Sequence, residues 1–240
     1  MLASVCAGLL TGPMSEAGAA TAHPAATVVL LRDAAEDCEV LLVRRNAQLA
    51  FHGGAWVFPG GRLDPEDYAA GTGETVAAAR HAAVREAREE AGLVLQPAAL
   101  VLVSRWITPT PLPKRFDTWF FAGRGGDAPV EVDGGEIHEH RWVTPRQALA
   151  AQQAGEIELP PPTFVTITII APHRRVADAL ATFACRPLET FEPRLVPVER
   201  GAVSLYAGDA AYADGELERP GPRHRLWMRE DGWSYERSGR

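Results

Sequence analysis

A chain of 240 residues, 46% hydrophobic and 23% charged, carries enough apolar side chains for a substantial core, which excludes disorder throughout. Its formal net charge of -7 argues against broad electrostatic binding to nucleic acid, which needs a basic surface to neutralise phosphates, and leaves room for a local basic pocket that takes a small phosphorylated molecule. Cys6, Cys38 and Cys185 are far apart and in no metal-ligand or redox spacing, so neither a disulfide framework nor a thiolate metal site is expected, and a reducing cytoplasm fits best.

The first residues, MLASVCAGLLTG, have no basic leader and are too short and interrupted to span a bilayer, so residues 1–23 read as a disordered tail and no membrane association is expected. Met14 is a second candidate start. Order should begin near Thr27, where TVVLLR and CEVLLVRR flank the turn-like DAAED as a hairpin. AWVF then runs into Pro59, Gly60 and Gly61, where proline stops the ladder and paired glycines allow a tight turn that a ligand can approach closely.

From Thr75 to Ala91 the composition switches to Ala, Arg and Glu, and Gly92 stands where a terminal glycine would end a helix. Val76, Ala83, Val84, Ala87 and Ala91 form its small-residue stripe, suited to close packing on a sheet, with charge on the opposite arcs. LVLVSRWIT, RFDTWFFAG and EIHEHRWV follow as strands. Thr144-Pro145 caps a short helix, RQALAAQQA, and RRVADALATFA reads as another. LPPPTFVTITIIA combines a β-branched run with a proline start; a helix is favoured over a strand. Four short strand-like runs in FEPRLVPVE, VSLYAG, RHRLWMRE and WSYER complete the chain, with a loop at residues 215–222.

Within REAREEAGL, Glu86, Glu89 and Glu90 stand at i, i+3 and i+4 and so share one arc of the helix. Carboxylates grouped in this way suit a hard divalent cation, Mg²⁺ or Mn²⁺, which takes oxygen ligands and substrate phosphate oxygens, and a backbone carbonyl of the glycine loop, from Gly60, would extend the set. A cation so held makes diphosphate cleavage feasible without a side-chain nucleophile. Arg85 can reach Glu89 one turn away and fix its orientation. Taken alone, R-E-x-x-E-E is more often a solvated helix face laced with ion pairs.

The surroundings reverse that preference. WVFPGG, a loop, then REAREEAGL resembles the Nudix box, G-x5-E-x7-R-E-U-x-E-E-x-G-U with U aliphatic, matched at Gly61, Arg85, Glu86, Ala87, Glu89, Glu90, Gly92 and Leu93. The spacing between Gly61 and Arg85 is about ten residues longer than in the family, so the box glutamate, counted back from Arg85, falls on Ala77, with Glu74 the nearest substitute. That insertion, with AFHGGAWVFPGGRLDPED, SRWITP, KRFDTWFFA and LPPP, looks like the branch of peroxisomal coenzyme A diphosphatases and their bacterial relatives, over roughly Pro24 to Pro172.

The resemblance implies an α/β (α+β) fold, the Nudix α/β/α sandwich with a mixed β-sheet over residues 24–190, and a metal-dependent hydrolase of a nucleoside diphosphate derivative. Coenzyme A or acyl-CoA comes first as substrate, and ADP-ribose or dinucleotides next. A nucleotide-binding module without catalysis is the rival, and the intact glutamate triplet favours the enzyme. Residues 191–240 form a β-rich extension that completes the sheet, caps a substrate cleft or makes a homodimer contact.

Beyond the triplet, Glu136 is the candidate for an extra carboxylate serving metal or base, against a plain turn residue. Arg45 and Arg115 are the preferred phosphate-binding cations among Arg44, Arg45, Lys114 and Arg115, with Gly61 as a close backbone contact; edge-strand charge explains such arginines nearly as well. His52, His138 and His140 receive no role. Trp56, Phe58, Trp106, Phe116, Trp119 and Trp142 are expected largely in the core.

Overall fold

The structure, a computed structural model, describes residues 20–239 apart from 36, 49–52, 72, 111, 127 and 133; residues 1–19 of the expected tail, with Met14, and His52 lie outside the described residues, while His23 at the end of that tail already belongs to the first strand. The chain divides into two compact units. The larger takes Pro24–Arg105 and Thr118–Glu189, and the smaller takes residues 20–23, Trp106–Asp117 and the described residues from Thr190 onward.

The larger unit is built on a mixed sheet. Strands β1 (His23–Asp33) and β2 (Cys38–Arg45) form the antiparallel hairpin expected from their apolar runs, with Leu31 opposite Val40. β3 (Trp56–Val57) pairs with β2, and β4 (Gly60–Arg62) with the start of β1. β5 (Val101–Ile107), β6 (Phe116–Arg124) and β7 (Ile137–Val143) complete an order β3-β2-β1-β6-β5, with β7 on the other side of β2 along part of its length.

Strand alternation divides the side chains between the two faces. Ala26, Val28 and Leu30 of β1, Leu41 and Val43 of β2, and Trp119 and Phe121 of β6 share one cluster with the alanines of helix α2 (Thr75–Ala91). Their neighbours Val29, Leu31, Val40, Leu42 and Phe120 are buried too, as a sheet covered on both faces requires. Helices α4 (Pro161–Ile170) and α5 (Val176–Cys185) are tied to the hairpin from the chain beside them: Cys38 Sγ donates to His173 O at 3.1 Å and the Val176 N–H to Asp33 Oδ1 at 2.9 Å.

The segment LPPPTFVTITIIA is a helix, as favoured. Pro161 presets its first turn, and Thr168 Oγ1 donates back to Phe164 O at 2.9 Å, which satisfies a hydroxyl inside an apolar run. Thr144 caps α3 (Pro145–Gln153) by accepting the Gln147 N–H at 3.2 Å while Gln147 Oε1 accepts the Thr144 N–H at 3.0 Å. Sequence reading missed α1 (Pro65–Ala70), a short helix between the glycine turn and α2.

The smaller unit holds an antiparallel sheet in the order β12-β11-β10-β9, from β9 (Arg194–Val198), β10 (Gly201–Leu205), β11 (Arg223–Arg229) and β12 (Gly232–Ser238), after the short β8 (Glu189–Phe191). The strand-like runs of the C-terminal extension therefore are strands. Asp209, in the loop after β10, is its anchor. It takes a two-pronged ion pair from buried Arg225, at 2.6 and 2.8 Å, together with the N–H groups of Ala211 and His224 at 2.8 Å each.

Candidate active site

Helix α2 ends as its sequence demands. Gly92 adopts the left-handed conformation at φ 68°, its N–H donates to Arg88 O at 3.0 Å, and the Leu93 N–H reaches Ala87 O at 3.1 Å. The buried stripe is Ala79, Ala82, Ala83, Ala87 and Ala91, which keeps the predicted alanines and leaves Val76 and Val84 half-buried at its margin. Glu86 and Glu90 continue that buried side, so the charge is not confined to the opposite arcs. They are only 9% and 5% exposed, where a carboxylate is expensive unless something compensates it.

The glycine turn supplies part of that compensation. Phe58 anchors the turn by an edge-on contact with Phe120 at 6.3 Å, and Pro59 O accepts the Val28 N–H at 2.9 Å. The Gly60 N–H donates to Glu90 Oε2 at 2.8 Å. Gly61 lies so close to the helix that an added Cβ would stand 2.3 Å from Glu86 Oε1, while a Cβ on Gly60 would stand 2.4 Å from the backbone oxygen of Ala26. Both glycines are therefore required by close approach, one by a carboxylate and one by the sheet.

Arg85 holds the other side of the cluster. Its Nη1 donates to Glu86 Oε1 at 2.8 Å and Glu89 Oε2 at 3.0 Å, and its Nη2 to Arg62 O at 2.9 Å and Asp67 Oδ2 at 3.0 Å. Asp67, on α1 and buried, also accepts from Arg85 Nε at 3.3 Å and from the Asp64 N–H at 2.8 Å. Sequence reasoning overlooked Asp67. Counting back from Arg85 led to Ala77 and Glu74; counting forward from Gly61 over the box spacing of five residues arrives at Asp67. The extra residues thus lie between this acid and Arg85.

The electrostatics follow from burial. Desolvation pushes the Glu90 carboxyl up to about 8; the Gly60 N–H opposes this and the charge of Glu86 adds to it. Glu86 is also raised, by burial first, against the pull of Arg85. Arg85 stays charged: burial works against the guanidinium, but Asp67 and Glu86 outweigh it.

This donor set fits a divalent cation, because it offers only oxygen ligands and two buried carboxylates whose negative charge the protein leaves partly unmatched. Among the described residues no group of three acids, histidines or cysteines stands ready-made as a metal cage. The triplet divides, with Glu86 and Glu90 turned to the glycine turn and the exposed Glu89 turned to Arg85.

The other predicted residues are placed as follows. Glu136 lies just before β7, exposed, with Arg45 Nη2 at 3.9 Å, and its charge acts on both Glu86 and Glu90. Arg44 contacts Glu139 at 3.5 Å. Arg115 belongs to the smaller unit, where its guanidinium donates to Thr108 O and Ala20 O at 2.9 Å each, and Lys114 sits over the Phe116 ring. Trp56, Phe58, Trp106 and Trp119 are buried, whereas Phe116 and Trp142 are half-buried. Among the described residues no helix is long and apolar enough to cross a membrane.

Comparison with known proteins gives the family. The NUDIX domain family matches residues 21–161, more than half of the chain. Putative nudix hydrolase 7 of Caenorhabditis elegans is 25% identical over 75% of this chain and 72% of its own length. Human acyl-coenzyme A diphosphatase NUDT19 is 32% identical over 46% of this chain, but the match spans only 31% of that relative. Among solved structures, a NUDIX hydrolase from Alicyclobacillus acidocaldarius superposes with a TM-score of 0.62 at 26% identity, covering 70% of this chain and 99% of that one. The chain therefore belongs to the NUDIX family, as a pyrophosphohydrolase.

Proposed function

We propose that this enzyme hydrolyses the diphosphate linkage of a nucleoside diphosphate derivative, with coenzyme A or an acyl-CoA as the favoured substrate and Mg²⁺ or Mn²⁺ as the cation. The observation that carries the reaction class is the pair of buried carboxylates, Glu86 and Glu90, pressed against the Gly60–Gly61 turn. The preference for coenzyme A rests on the likeness to acyl-coenzyme A diphosphatase NUDT19 and on the lengthened box.

Glu86 and Glu90 would hold the cation, joined by Glu89 and the Gly60 carbonyl. When bound, the cation supplies charge neutralisation for the diphosphate oxygens and makes in-line attack by water feasible. Arg85 donates to both Glu86 and Glu89 and so steadies the two carboxylates, with Asp67 fixing Arg85 in place. Glu136 accepts the proton released by the attacking water; its exposure leaves it able to return that proton to solvent. Gly61, lacking a side chain, lets the phosphate approach the backbone.

Incubation with Mg²⁺ and a panel of coenzyme A, ADP-ribose and NADH, read by mass spectrometry, tests the proposal. The expected products are a phosphopantetheine species and adenosine 3′,5′-bisphosphate from coenzyme A. Cleavage of ADP-ribose or NADH with coenzyme A untouched would move the substrate to the second class.

A further inference from the structure

The hairpin strand β2 ends in two arginines, and the sheet sends them to opposite faces. Leu41 and Val43 point to the α2 face, so Arg45, two residues on, continues it, as does its cross-strand neighbour Ile137. The ladder is irregular here: Arg44 pairs with Glu139 and Arg45 with Ile137, so His138 is the extra residue on β7. The main chain of Arg45 is locked on both sides, its N–H donating to Ala55 O at 3.1 Å and its carbonyl accepting the Gly54 N–H at 3.0 Å. Asn46 then clamps the loop that carries Glu136: its N–H donates to Glu136 O at 2.7 Å and its Nδ2 to Gly135 O at 3.1 Å.

The side chain of Arg45 is far less committed than this backbone. It is only 20% exposed, its Nε is buried with no hydrogen-bond partner among the described residues, and Glu136 stands 3.9 Å from Nη2, too far for a hydrogen bond. Arg85 in the same cluster, by contrast, has every edge of its guanidinium engaged. A largely desolvated guanidinium that keeps donors in reserve and whose charge acts on Glu90 suits a multiply charged oxyanion such as a phosphate, two of whose oxygens its planar fork can meet at once.

Resting on the reading of this site as a diphosphate hydrolase, we propose that Arg45 is the substrate's phosphate anchor, with Glu136 as its loose counter-ion until the diphosphate arrives. The guanidinium then passes from Glu136 to a phosphate oxygen, and Glu136 is released for its work as proton acceptor. Arg44, on the opposite face and held by Glu139 and Gly54 O, has no part in this.

Calorimetric titration with two probes tests it: Mg²⁺ alone, and the uncleavable α,β-methylene-ADP in saturating Mg²⁺. Arg45→Gln should weaken the nucleotide analogue about tenfold or more, while Mg²⁺ alone binds unchanged or tighter, because a positive charge beside Glu90 has gone. Arg45→Lys, which keeps the charge but not the fork, should fall between, and it carries the test if the glutamine variant does not fold. Equal loss of Mg²⁺ and analogue binding would mean that Arg45 only supports the fold and would overturn the anchor. So would analogue binding at the wild-type level in Arg45→Gln. Failure of the wild-type protein to bind the analogue at all would overturn the diphosphate reading itself and the anchor with it.

Discussion

Asp67 and Arg85, eighteen residues apart and on different helices, are joined through two edges of the guanidinium, at 3.3 Å from Nε and 3.0 Å from Nη2. The remaining nitrogen of Arg85 faces Glu86 and Glu89. Removing the charge of Asp67 would leave the arginine to be neutralised by the carboxylates proposed to bind the cation. Asp67→Asn should therefore cost about 10- to 100-fold in metal affinity or turnover, read as a rise in the Mg²⁺ concentration for half-maximal rate. Metal dependence unchanged from the wild type would show that the ion pair only joins α1 to α2.

The two glycines of the turn should respond differently to the same methyl group. In Gly61→Ala the new Cβ meets the end of a side chain, which can swing away, so the fold should survive with a stability loss below about 1 kcal/mol while Glu86 is displaced and turnover drops. In Gly60→Ala the Cβ meets the backbone oxygen of Ala26 and the Cα of Thr27, which cannot yield without parting β4 from β1. That variant should lose several kcal/mol, of the order seen for overpacked cores or more. Urea unfolding of both proteins beside their turnover separates the two outcomes.

The smaller unit should show an acid-sensitive stability. Burial pushes the Asp209 carboxyl up, but the Arg225 guanidinium and the N–H groups of His224 and Ala211 together outweigh it and hold the group at about 2, against 3.8 ordinarily. A lowered native value means stabilisation that is fully present above the unfolded value and lost as pH falls through the native one. Its size is about 2 kcal/mol, disappearing between roughly pH 4 and 2. Asp209→Asn should flatten that limb of the pH–stability curve and, by leaving Arg225 buried and unpaired, destabilise the unit by about 3 to 5 kcal/mol at neutral pH.

What was legible in the sequence was local. Helix α2 followed from its Ala, Arg and Glu content and from Gly92, helix α3 from Thr144-Pro145, and the hairpin from two β-branched runs about a turn, because each signal lies within a few residues of the element it makes. The grouping of Glu86, Glu89 and Glu90 on one helix was legible from their spacing. The burial of Glu86 and Glu90 was not, because they lie on the side of α2 that the alanines share and a charged residue reads as exposed. Asp67 was hidden by an insertion that shifts the count from Arg85, although the count from Gly61 reaches it. Asp209 and Arg225 were hidden because they stand sixteen positions apart in the chain and only the folded sheet brings them together.

The central claim is that the buried Glu86 and Glu90 hold a divalent cation for diphosphate cleavage, and Glu90→Gln tests it most directly. Glutamine keeps the shape of a protonated carboxyl and can still accept the Gly60 N–H, so the metal-free protein should melt as the wild type does, while Mg²⁺-dependent turnover falls to below about one hundredth. Turnover near the wild-type level, with the same dependence on Mg²⁺, would contradict it.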